Sequence, residues 1–357
     1  MRPPGTVPGR TAVNRSGTAP SFSGESRTTT PIAHKRVGIE VSVVVPTCGR
    51  EDLLRRCLVA LCNQDLDGSR YEIIVVDDRP SAGTRKVVEE LGGRGVALRY
   101  VPVIGRHGPA AARNAGIRQC RGPIVAFTDD DCIPARNWLT AGKSAFVDGV
   151  VGASGRLVVP LPDNPTDYEV NAARLGLARF VTANCFYRKP ALLKIGGFDE
   201  RFSTAWREDS DLYFRLLKEQ KPLIEAPEAV VVHPVRPARW GVSINQQKKN
   251  VFNALLYKKH QALYKEKLRP VVPWRYYIIV LSLLCTLIGV LLGNRVVSFT
   301  AASVWFLGTA VFFVRRLADS SRTLRNIVEM AVTSIVIPPV CIFWRLVGAM
   351  RYRVFFL

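Results

Sequence analysis

The chain has 357 residues, of which 48% are hydrophobic, so it can form a folded core and is not a globally disordered protein. Its formal net charge of +21 points to an anionic partner: nucleic acid, a membrane surface or a phosphorylated substrate. The eight cysteines are scattered without a CxxC pair, which disfavours a disulfide framework or a zinc site and favours a reducing compartment.

Residues 1–36 are rich in Gly, Pro, Ser, Thr and Arg and have almost nothing to bury, so they are predicted to form a disordered tail. From Val37 onwards, β-branched segments alternate with segments of helical periodicity. The predicted strands are VGIEVSVVVPT, YEIIVVDD, VALRYVPV and PIVAFTDDD, and the predicted helices are REDLLRRCLVALCNQ, SAGTRKVVEELGG and GPAAARNAGIRQC.

This alternation predicts an α/β domain with a Rossmann-like, mainly parallel sheet flanked by helices. Thr47, Asp77–Asp78 and Asp129–Asp131 fall at the ends of three of the strands. Ligands of such sheets bind beyond the carboxyl ends of the strands, so these side chains are expected to line one cleft. The domain extends over 37–235, and its less regular second half contains a helix in REDSDLYFRLLKEQ and a short strand in AVVVHP.

Residues 236–275 form a basic amphipathic segment in which ten Lys or Arg accompany the single acid Glu266. Because this segment leads into apolar runs, its charge is interpreted as contact with membrane lipids and not with nucleic acid. The runs Tyr276–Gly293 and Val296–Val314 have 18 and 19 residues, and about 20 helical residues cross a bilayer core. They predict two transmembrane helices over 276–314, joined as a hairpin; a buried soluble helix pair is the alternative.

Basic residues at both outer ends of the hairpin predict that these ends and the N-terminal domain are cytoplasmic, at the inner (plasma) membrane. Residues 315–357 contain a basic loop and a third apolar stretch, Ile327–Val347, with Glu329 and Pro338–Pro339 inside it. A third membrane segment would place three further arginines outside, against the positive-inside rule. A re-entrant or interfacial segment is therefore preferred.

Three consecutive carboxylates, Asp129, Asp130 and Asp131, follow the fourth predicted strand. Like charges repel, so a cation, an arginine or water is expected among them. In an extended segment Asp129 and Asp131 project to the same side and can approach one ion, while Asp130 faces elsewhere. Hard cations such as Mg²⁺ and Mn²⁺ prefer carboxylate oxygens. For an isolated D-x-D, a solvated acidic loop is the alternative.

Six motifs occur in order along the chain: VVVPTCGRED, IIVVDD, GPAAARNAGI, VAFTDDDC, GGFDERF and REDSDLYFRL. Together they resemble the family 2 inverting glycosyltransferases, whose catalytic domain has the GT-A fold, over roughly residues 42–233. The resemblance implies a metal-dependent enzyme that uses Mg²⁺ or Mn²⁺ and transfers a sugar from a UDP- or GDP-linked donor.

The resemblance also implies roles for individual residues on the donor side. The loop after the first strand contacts the nucleotide base and is represented here by Pro46, Thr47 and Arg50. An aspartate that closes the second strand, Asp77 or Asp78, binds the base or ribose; a surface turn acid is the alternative.

Further along the chain, Arg113 and Asn114 match the helix that borders the donor diphosphate, although Arg113 is equally open to being a structural partner for the aspartates. Asp129 and Asp131 match the metal-binding D-x-D motif, with Asp129 also bordering the donor. His233 matches a further metal ligand or phosphate contact, with a structural role as the alternative.

Asp209 matches the family's catalytic base. The first-turn N–H groups and the helix dipole favour a carboxylate at a helix start, which predicts that Asp209 stays ionised. Glu208 is the second choice for the base. Asp211 is expected to be an exposed helix acid that faces away.

The segment RPARW keeps Arg239 and Trp240 of the Q-x-x-R-W motif of some processive relatives but has Arg236 in place of Gln. This departure predicts single or short additions to a membrane-borne acceptor, a lipid-linked one or a glycan, in cell envelope polysaccharide biosynthesis. The oligomeric state is left open.

Three other functions fit the sequence less well. A sugar-nucleotidyltransferase needs a glycine-rich basic loop after the first strand, and PTCGRED is not one. A non-enzymatic membrane-surface binding protein explains the charge but not carboxylates at three strand ends. A dinucleotide-dependent oxidoreductase is disfavoured because no G-x-G-x-x-G follows a strand.

Overall fold

The computed structural model describes residues 38–268 and 273–356, so the predicted tail at 1–36 lies outside the described residues. Eight strands form one mixed sheet in the order β3–β2–β1–β4–β7–β6–β8–β5. The strands are β1 Val41–Thr47, β2 Tyr71–Asp77, β3 Ala97–Pro102, β4 Ile124–Phe127, β5 Ile133–Pro134, β6 Gly152–Val158, β7 Cys185–Arg188 and β8 Leu223–Val232.

Thirteen α-helices accompany the sheet in the part of the chain that the structure describes. The first ten are α1 Glu51–Cys62, α2 Ala82–Leu91, α3 Pro109–Gln119, α4 Trp138–Ser144, α5 Asp167–Ala173, α6 Lys189–Lys194, α7 Glu208–Lys218, α8 Val242–Gln246, α9 Val251–Lys259 and α10 Gln261–Leu263. The last three, which are much longer, are α11 Trp274–Leu291, α12 Arg295–Ala318 and α13 Leu324–Tyr352.

The first half of the sheet is the parallel βαβ arrangement that the sequence predicts. Strands β3, β2, β1 and β4 are all parallel, with Thr47 opposite Asp77 and Val44 opposite Phe127. Alternate residues of β1 enter different cores, since Val43 and Val45 pack on one face of the sheet and Val44 on the other. Burial on both faces explains why β1 is mostly apolar.

The second half of the sheet brings a distant strand end to the same edge. Strand β7 is antiparallel to both β4 and β6, and β6 is parallel to β8. Strand β8 therefore runs in the same direction as β4. His233 follows β8 directly, and it consequently lies at the edge where the three aspartates follow β4.

Helices α11, α12 and α13 are each long and apolar enough to cross a membrane. The first two cover the predicted hairpin. The third is one unbroken helix with Pro338 and Pro339 inside it. A re-entrant segment turns back within the bilayer and does not match this helix, whereas an interfacial helix or a third membrane segment does.

Helix α13 lies along the α8–α9 region. Near its start, Glu329 Oε1 accepts from the Gly241 N–H at 2.8 Å, and in its middle Cys341 Sγ is 3.6 Å from Asn250 Nδ2. At its end, the carbonyl of Tyr352 accepts from Lys258 Nζ at 2.7 Å. The helix therefore touches this region along its whole length.

Candidate active site at the carboxyl edge of the sheet

The three consecutive aspartates each have a different basic partner. Asp129 Oδ1 is 2.7 Å from Arg113 Nη2, and Asp130 Oδ1 is 2.9 Å from Arg50 Nη1. Asp131 Oδ2 is 3.0 Å from Arg236 Nε. Residues 130 and 131 form a turn and not an extended strand. The alternation of side chains expected for an extended segment therefore does not apply, and the carboxylates diverge.

The middle aspartate closes the loop after β1. Thr47 Oγ1 donates to Asp130 Oδ2 at 2.8 Å, and Arg50 binds its other oxygen. Burial raises the pKa of Asp130, and Arg50 opposes that rise. Pro46, in β1, lies opposite Val76 of β2. The loop predicted to contact the nucleotide base is thus bound to the aspartate triplet through Asp130.

One buried guanidinium joins the two halves of the site. Arg113 on α3 is 2% exposed, and its Nη1 lies 3.1 Å from Glu208 Oε1 while its Nη2 holds Asp129. Its neighbour Asn114 has a structural position, donating to the carbonyl of Phe198 and to Glu200 Oε1, both at 2.9 Å. Arg113 therefore connects the end of β4 to the start of α7.

Helix α7 begins with two adjacent acids in different surroundings. Glu208 is buried, and burial followed by the nearby charge of Asp209 raises its pKa to about 7. Asp209 is partly exposed and accepts from the Ser210 N–H at 2.6 Å. Burial raises its pKa too, outweighing the backbone N–H that favours the charged form. The helix start is therefore not the only influence on the ionisation of Asp209, because burial opposes it.

The two acids that close β2 are used by their own loops. Asp77 is fully buried and accepts from the N–H groups of Arg79 and Ser81 at 3.2 and 3.0 Å and from Tyr100 Oη at 3.1 Å. Asp78 Oδ1 accepts from the Gly108 N–H at 2.7 Å. Gly108 has φ +116°, and a Cβ there would meet Ser203 O at 2.8 Å. Asp78 and Gly108 thus position the start of α3. Asp77 holds its own loop together, but it is not the surface turn acid of the alternative, because it is fully buried.

A possible metal-binding group lies beside the third aspartate. Among the described residues, ligand atoms of Asp131, Cys132 and His233 lie within 4.8 Å of one another, and Asp131 Oδ1 is 3.5 Å from His233 Nε2. This oxygen is not the one that Arg236 binds. An oxygen and an imidazole nitrogen fit Mn²⁺, and the oxygen also fits Mg²⁺. Burial raises the pKa of Cys132, so its thiol stays protonated and is a poor ligand.

The remaining metal candidate, Asp129, is not in that group. It is the most open carboxylate of the triplet, with a side chain 28% exposed against 2% for Asp130 and 3% for Asp131. Arg113 holds only its Oδ1. The residues therefore fit a divalent cation held by Asp131 and His233, with Asp129 facing the open side.

Asp211 is not the exposed helix acid that the sequence predicts. It is fully buried and forms ion pairs with Arg215 at 2.8 Å and with Lys259, and its Oδ1 lies 2.9 Å from His260 Nε2. It therefore fixes α7 to α9 and to His260, and its oxygens do not face the cleft.

Several residues at the site were missed from the sequence. Trp206 Nε1 and Arg207 Nε both donate to Asn253 Oδ1, at 3.1 and 2.8 Å, and Lys249 Nζ lies 5.6 Å from the centre of the Trp206 ring. Lys249 is indistinguishable in sequence from its basic neighbours. The adjacency of Trp206 and Arg207 to the acids of α7 was the one available signal.

Family models match two overlapping parts of the chain. The model described as Glycosyl transferase family 2 matches residues 42–199, and the model described as Glycosyl transferase family group 2 matches residues 165–314. Both lie over the sheet domain, and the second continues into α12.

Two curated proteins are similar to the sheet domain. Glycosyltransferase AglE of Haloferax volcanii is 28% identical over 211 residues, covering 55% of this chain and 67% of that protein. The GalNAc(5)-diNAcBac-PP-undecaprenol beta-1,3-glucosyltransferase of Campylobacter jejuni is 27% identical over 192 residues, covering 51% of this chain and 60% of that protein. The matches thus span about two thirds or less of these relatives.

A solved structure shares the architecture. The mannosyltransferase from Pyrobaculum calidifontis in complex with GDP-Man and Mn²⁺ matches with a TM-score of 0.51 and 20% identity, over 88% of this chain and 87% of that chain. At this identity the likeness shows the fold. The predicted GT-A fold is confirmed.

Proposed function

Since the chain carries a glycosyl transferase family 2 domain with the GT-A fold, we propose that it transfers a sugar from a nucleoside-diphosphate donor to a membrane-associated acceptor. The transfer inverts the configuration at the anomeric carbon. The donor is UDP- or GDP-linked, and the acceptor is lipid-linked or a glycan at the cytoplasmic face.

The contact that best supports this proposal is the bridge made by Arg113. Its guanidinium nitrogens lie 2.7 Å from Asp129, on the donor side, and 3.1 Å from Glu208, which is adjacent to the proposed catalytic base Asp209. Donor and acceptor groups must be held in one geometry for the reaction, and rigid positioning supplies a large part of the rate. A solvated acidic loop, the alternative for the triplet, does not require such a connection.

In the proposed reaction, the acceptor hydroxyl oxygen attacks the anomeric carbon as the bond from that carbon to the diphosphate oxygen breaks. Asp209 removes the hydroxyl proton, and the nucleoside diphosphate leaves with the bonding electron pair. The partly exposed position of Asp209 lets its carboxylate reach the acceptor, whereas Glu208 is buried against Arg113. A positioned general base contributes roughly 10²–10⁴-fold in rate.

On the donor side, Asp131 and His233 are the residues that would hold a divalent cation, with Asp129 on the open side of this group. When bound, the cation supplies positive charge for the leaving diphosphate. Thr47 and Arg50 orient the loop beside the nucleotide base of the donor, and Arg113 keeps Asp129 in place. Support for a divalent ion comes from the fit of the O and N ligands and from the Mn²⁺ in the Pyrobaculum mannosyltransferase complex.

For the membrane, we propose that α11 and α12 span the bilayer and that α13 lies at its surface. Arg316, at the end of α12, binds Asp167 of α5 through two contacts of 3.1 and 2.6 Å. This contact supports a position of the sheet domain beside the basic end of the hairpin, which is proposed to be the cytoplasmic end by the positive-inside rule. The Campylobacter relative is named for an undecaprenol-linked substrate, which supports a lipid-linked acceptor here.

The proposal is tested with the full chain in membranes, using a panel of sugar nucleotides with Mg²⁺ or Mn²⁺. Asp209→Asn is expected to lower nucleoside diphosphate release by roughly 10²–10⁴-fold while donor binding is retained. The matched control is Asp148→Asn, at an exposed position before β6 and hence at the opposite edge of the sheet. Unchanged turnover in Asp209→Asn would remove this residue from the mechanism.

A further inference from the structure

Two cations next to the proposed base have no acidic partner among the residues that the structure describes. Arg207 directly precedes Glu208, and its Nε donates to the neutral side chain of Asn253 at 2.8 Å. Lys249 lies on the 3₁₀ turn Gln247–Asn250, with its ammonium against the face of Trp206. The arginines around the aspartate triplet, in contrast, all form ion pairs with carboxylates.

These two side chains are partly withdrawn from water. Burial lowers the pKa of both Arg207 and Lys249, and the nearby charges of Asp209 and Glu208 offset this only in part. A cation that leaves water without a partner is costly, and buried charges are normally paired. An anionic ligand would supply the missing partner.

The backbone at this place is held in an uncommon conformation. Arg207 has φ +76°, in the left-handed region, although it is not glycine. Such conformations cost free energy and persist at sites where the surrounding structure imposes them. Here the guanidinium is fixed by Asn253 and lies 4.8 Å from the centre of the Trp206 ring.

The cluster is connected to the membrane-facing helix α13. Asn253 Nδ2 donates to Asn250 Oδ1 at 2.9 Å, and Asn250 in turn contacts Cys341 on α13. The adjacent Lys248 points to the same helix, with its Nζ 5.6 Å from the centre of the Trp344 ring. A group attached to a lipid would therefore reach this cluster from the side of α13.

We propose that Trp206, Arg207 and Lys249 form a subsite for the phosphate group of a lipid-linked acceptor, which makes the substrate class a phosphate-bearing lipid and not a neutral glycolipid. This inference rests on the proposed function. Arg207 and Lys249 bind the phosphate oxygens, and the face of Trp206, 38% exposed, contacts the apolar group attached to them.

The donor diphosphate is assigned to residues other than those of the subsite. These are Asp129, Asp131 and His233, where Arg236 is already paired with Asp131. Arg207 is two residues from Asp209, where the attacking hydroxyl must lie. A phosphate held there places the first sugar or hydroxyl of the lipid within reach of the base.

The test measures binding by the full chain in detergent, with farnesyl phosphate, farnesol, inorganic phosphate, and UDP or GDP with Mn²⁺ as separate ligands. Farnesyl phosphate is expected to bind more tightly than farnesol and than inorganic phosphate. Lys249→Gln should weaken the binding of farnesyl phosphate by roughly tenfold or more, because a hydrogen bond to a charged group is lost. Lys249→Arg should largely restore it, and diphosphate binding should not change.

Lys248→Gln is the matched control, since it removes the same charge from the adjacent, exposed lysine that faces Trp344. The subsite proposal is overturned if farnesol or inorganic phosphate binds as tightly as farnesyl phosphate. It is also overturned if Lys249→Gln weakens the binding of UDP or GDP and not that of farnesyl phosphate. These results leave the proposed function standing. Failure of both UDP and GDP to bind under any metal would instead contradict the proposed function.

Discussion

At the scale of single residues, the aspartate triplet shows how adjacent carboxylates are accommodated. Each one is held by a different arginine: Arg113, Arg50 and Arg236. The sequence predicts the position of the triplet, because β-branched residues lead into it. It does not predict the partners, since these come from α3, the loop after β1 and the segment after β8, and their convergence depends on the whole sheet.

Arg113 is the residue whose removal should affect the site most widely. Arg113→Gln leaves Asp129 and the buried Glu208 without their shared cation. Breaking such a buried pair costs about 3–5 kcal/mol, so we expect a lower free energy of unfolding together with a large loss of turnover. Thermal unfolding and initial rates of the full chain measure both effects.

Arg118→Gln is the control for that variant, because Arg118 is exposed on the same helix. It should leave both quantities nearly unchanged. Retained stability and turnover in Arg113→Gln would show that the bridge is dispensable and would weaken the proposed connection between the donor side and the base.

The surroundings of Glu208 and Asp209 predict the pH dependence of the reaction. Burial raises the pKa of both, to about 7 for Glu208, and the two adjacent acids titrate as a pair. A base must be ionised, so turnover should fall as the pH decreases through the raised pKa of the pair. The acid limb of kcat/KM should therefore lie clearly above the usual carboxylate range of about 4.

Glu208→Gln removes a negative neighbour and should move that acid limb to lower pH. The pH profile of nucleoside diphosphate release measures the shift. An acid limb at the ordinary carboxylate pKa in the unchanged protein, or no movement in Glu208→Gln, would contradict the assignment of the pair.

At the scale of elements, the parallel half of the sheet is predictable and the antiparallel half is not. Strands β1, β2 and β4 are mostly apolar runs that the sequence reveals directly. Strand β5 has two residues and β7 has four, and both depend on pairing with distant strands for their existence. Local sequence patterns do not encode that pairing. The position of His233 after AVVV is therefore the only sequence signal that this residue lies at the site.

A contact between elements that the sequence did not predict is the docking of α5 on α12. Arg316 binds Asp167 and also donates to Thr333 Oγ1 at 2.7 Å and Ser334 Oγ at 3.0 Å on α13. In sequence, Arg316 is only one of several basic residues that flank the hairpin. Its role depends on the placement of α5.

The Arg316–Asp167 pair should show energetic coupling in a double-mutant cycle. Arg316→Ala and Asp167→Ala, singly and together, should give a coupling of about 0.5–3 kcal/mol in the free energy of unfolding, because the two residues are in contact. Thermal unfolding in detergent measures it. The exposed neighbour Arg315→Ala, paired with Asp167→Ala, should be additive. Additivity in the Arg316 cycle would show that the docking contributes no stability.

At the scale of the whole molecule, the arrangement of α13 decides the topology. Its exposed apolar residues recur at helical spacing: Leu324, Val328, Val332, Ile335, Phe343, Leu346 and Met350. Its other face packs on α9, where a Cβ at Gly348 would meet Val251 O at 2.8 Å. One apolar face and one covered face are typical of a helix that lies in the membrane surface.

This arrangement predicts that both chain termini are cytoplasmic. Topology reporters fused after residue 357 and before residue 1 should give the same signal, whereas a reporter in the α11–α12 turn at Asn294 should give the opposite one. The comparison of these three fusions checks the prediction. A reporter after residue 357 on the side opposite the N-terminal one would establish a third membrane span.

Because α13 contacts the α8–α9 region near both of its ends, the proposed catalytic groups cannot tilt freely relative to this helix. With α13 at the membrane surface, as proposed, Asp209 would be kept at a constant height above the lipid headgroups. For an acceptor anchored in the same leaflet, each added sugar carries the reactive hydroxyl farther outward, beyond this height. For the proposed acceptor, this geometry would limit chain growth to the first additions, without any separate stop signal.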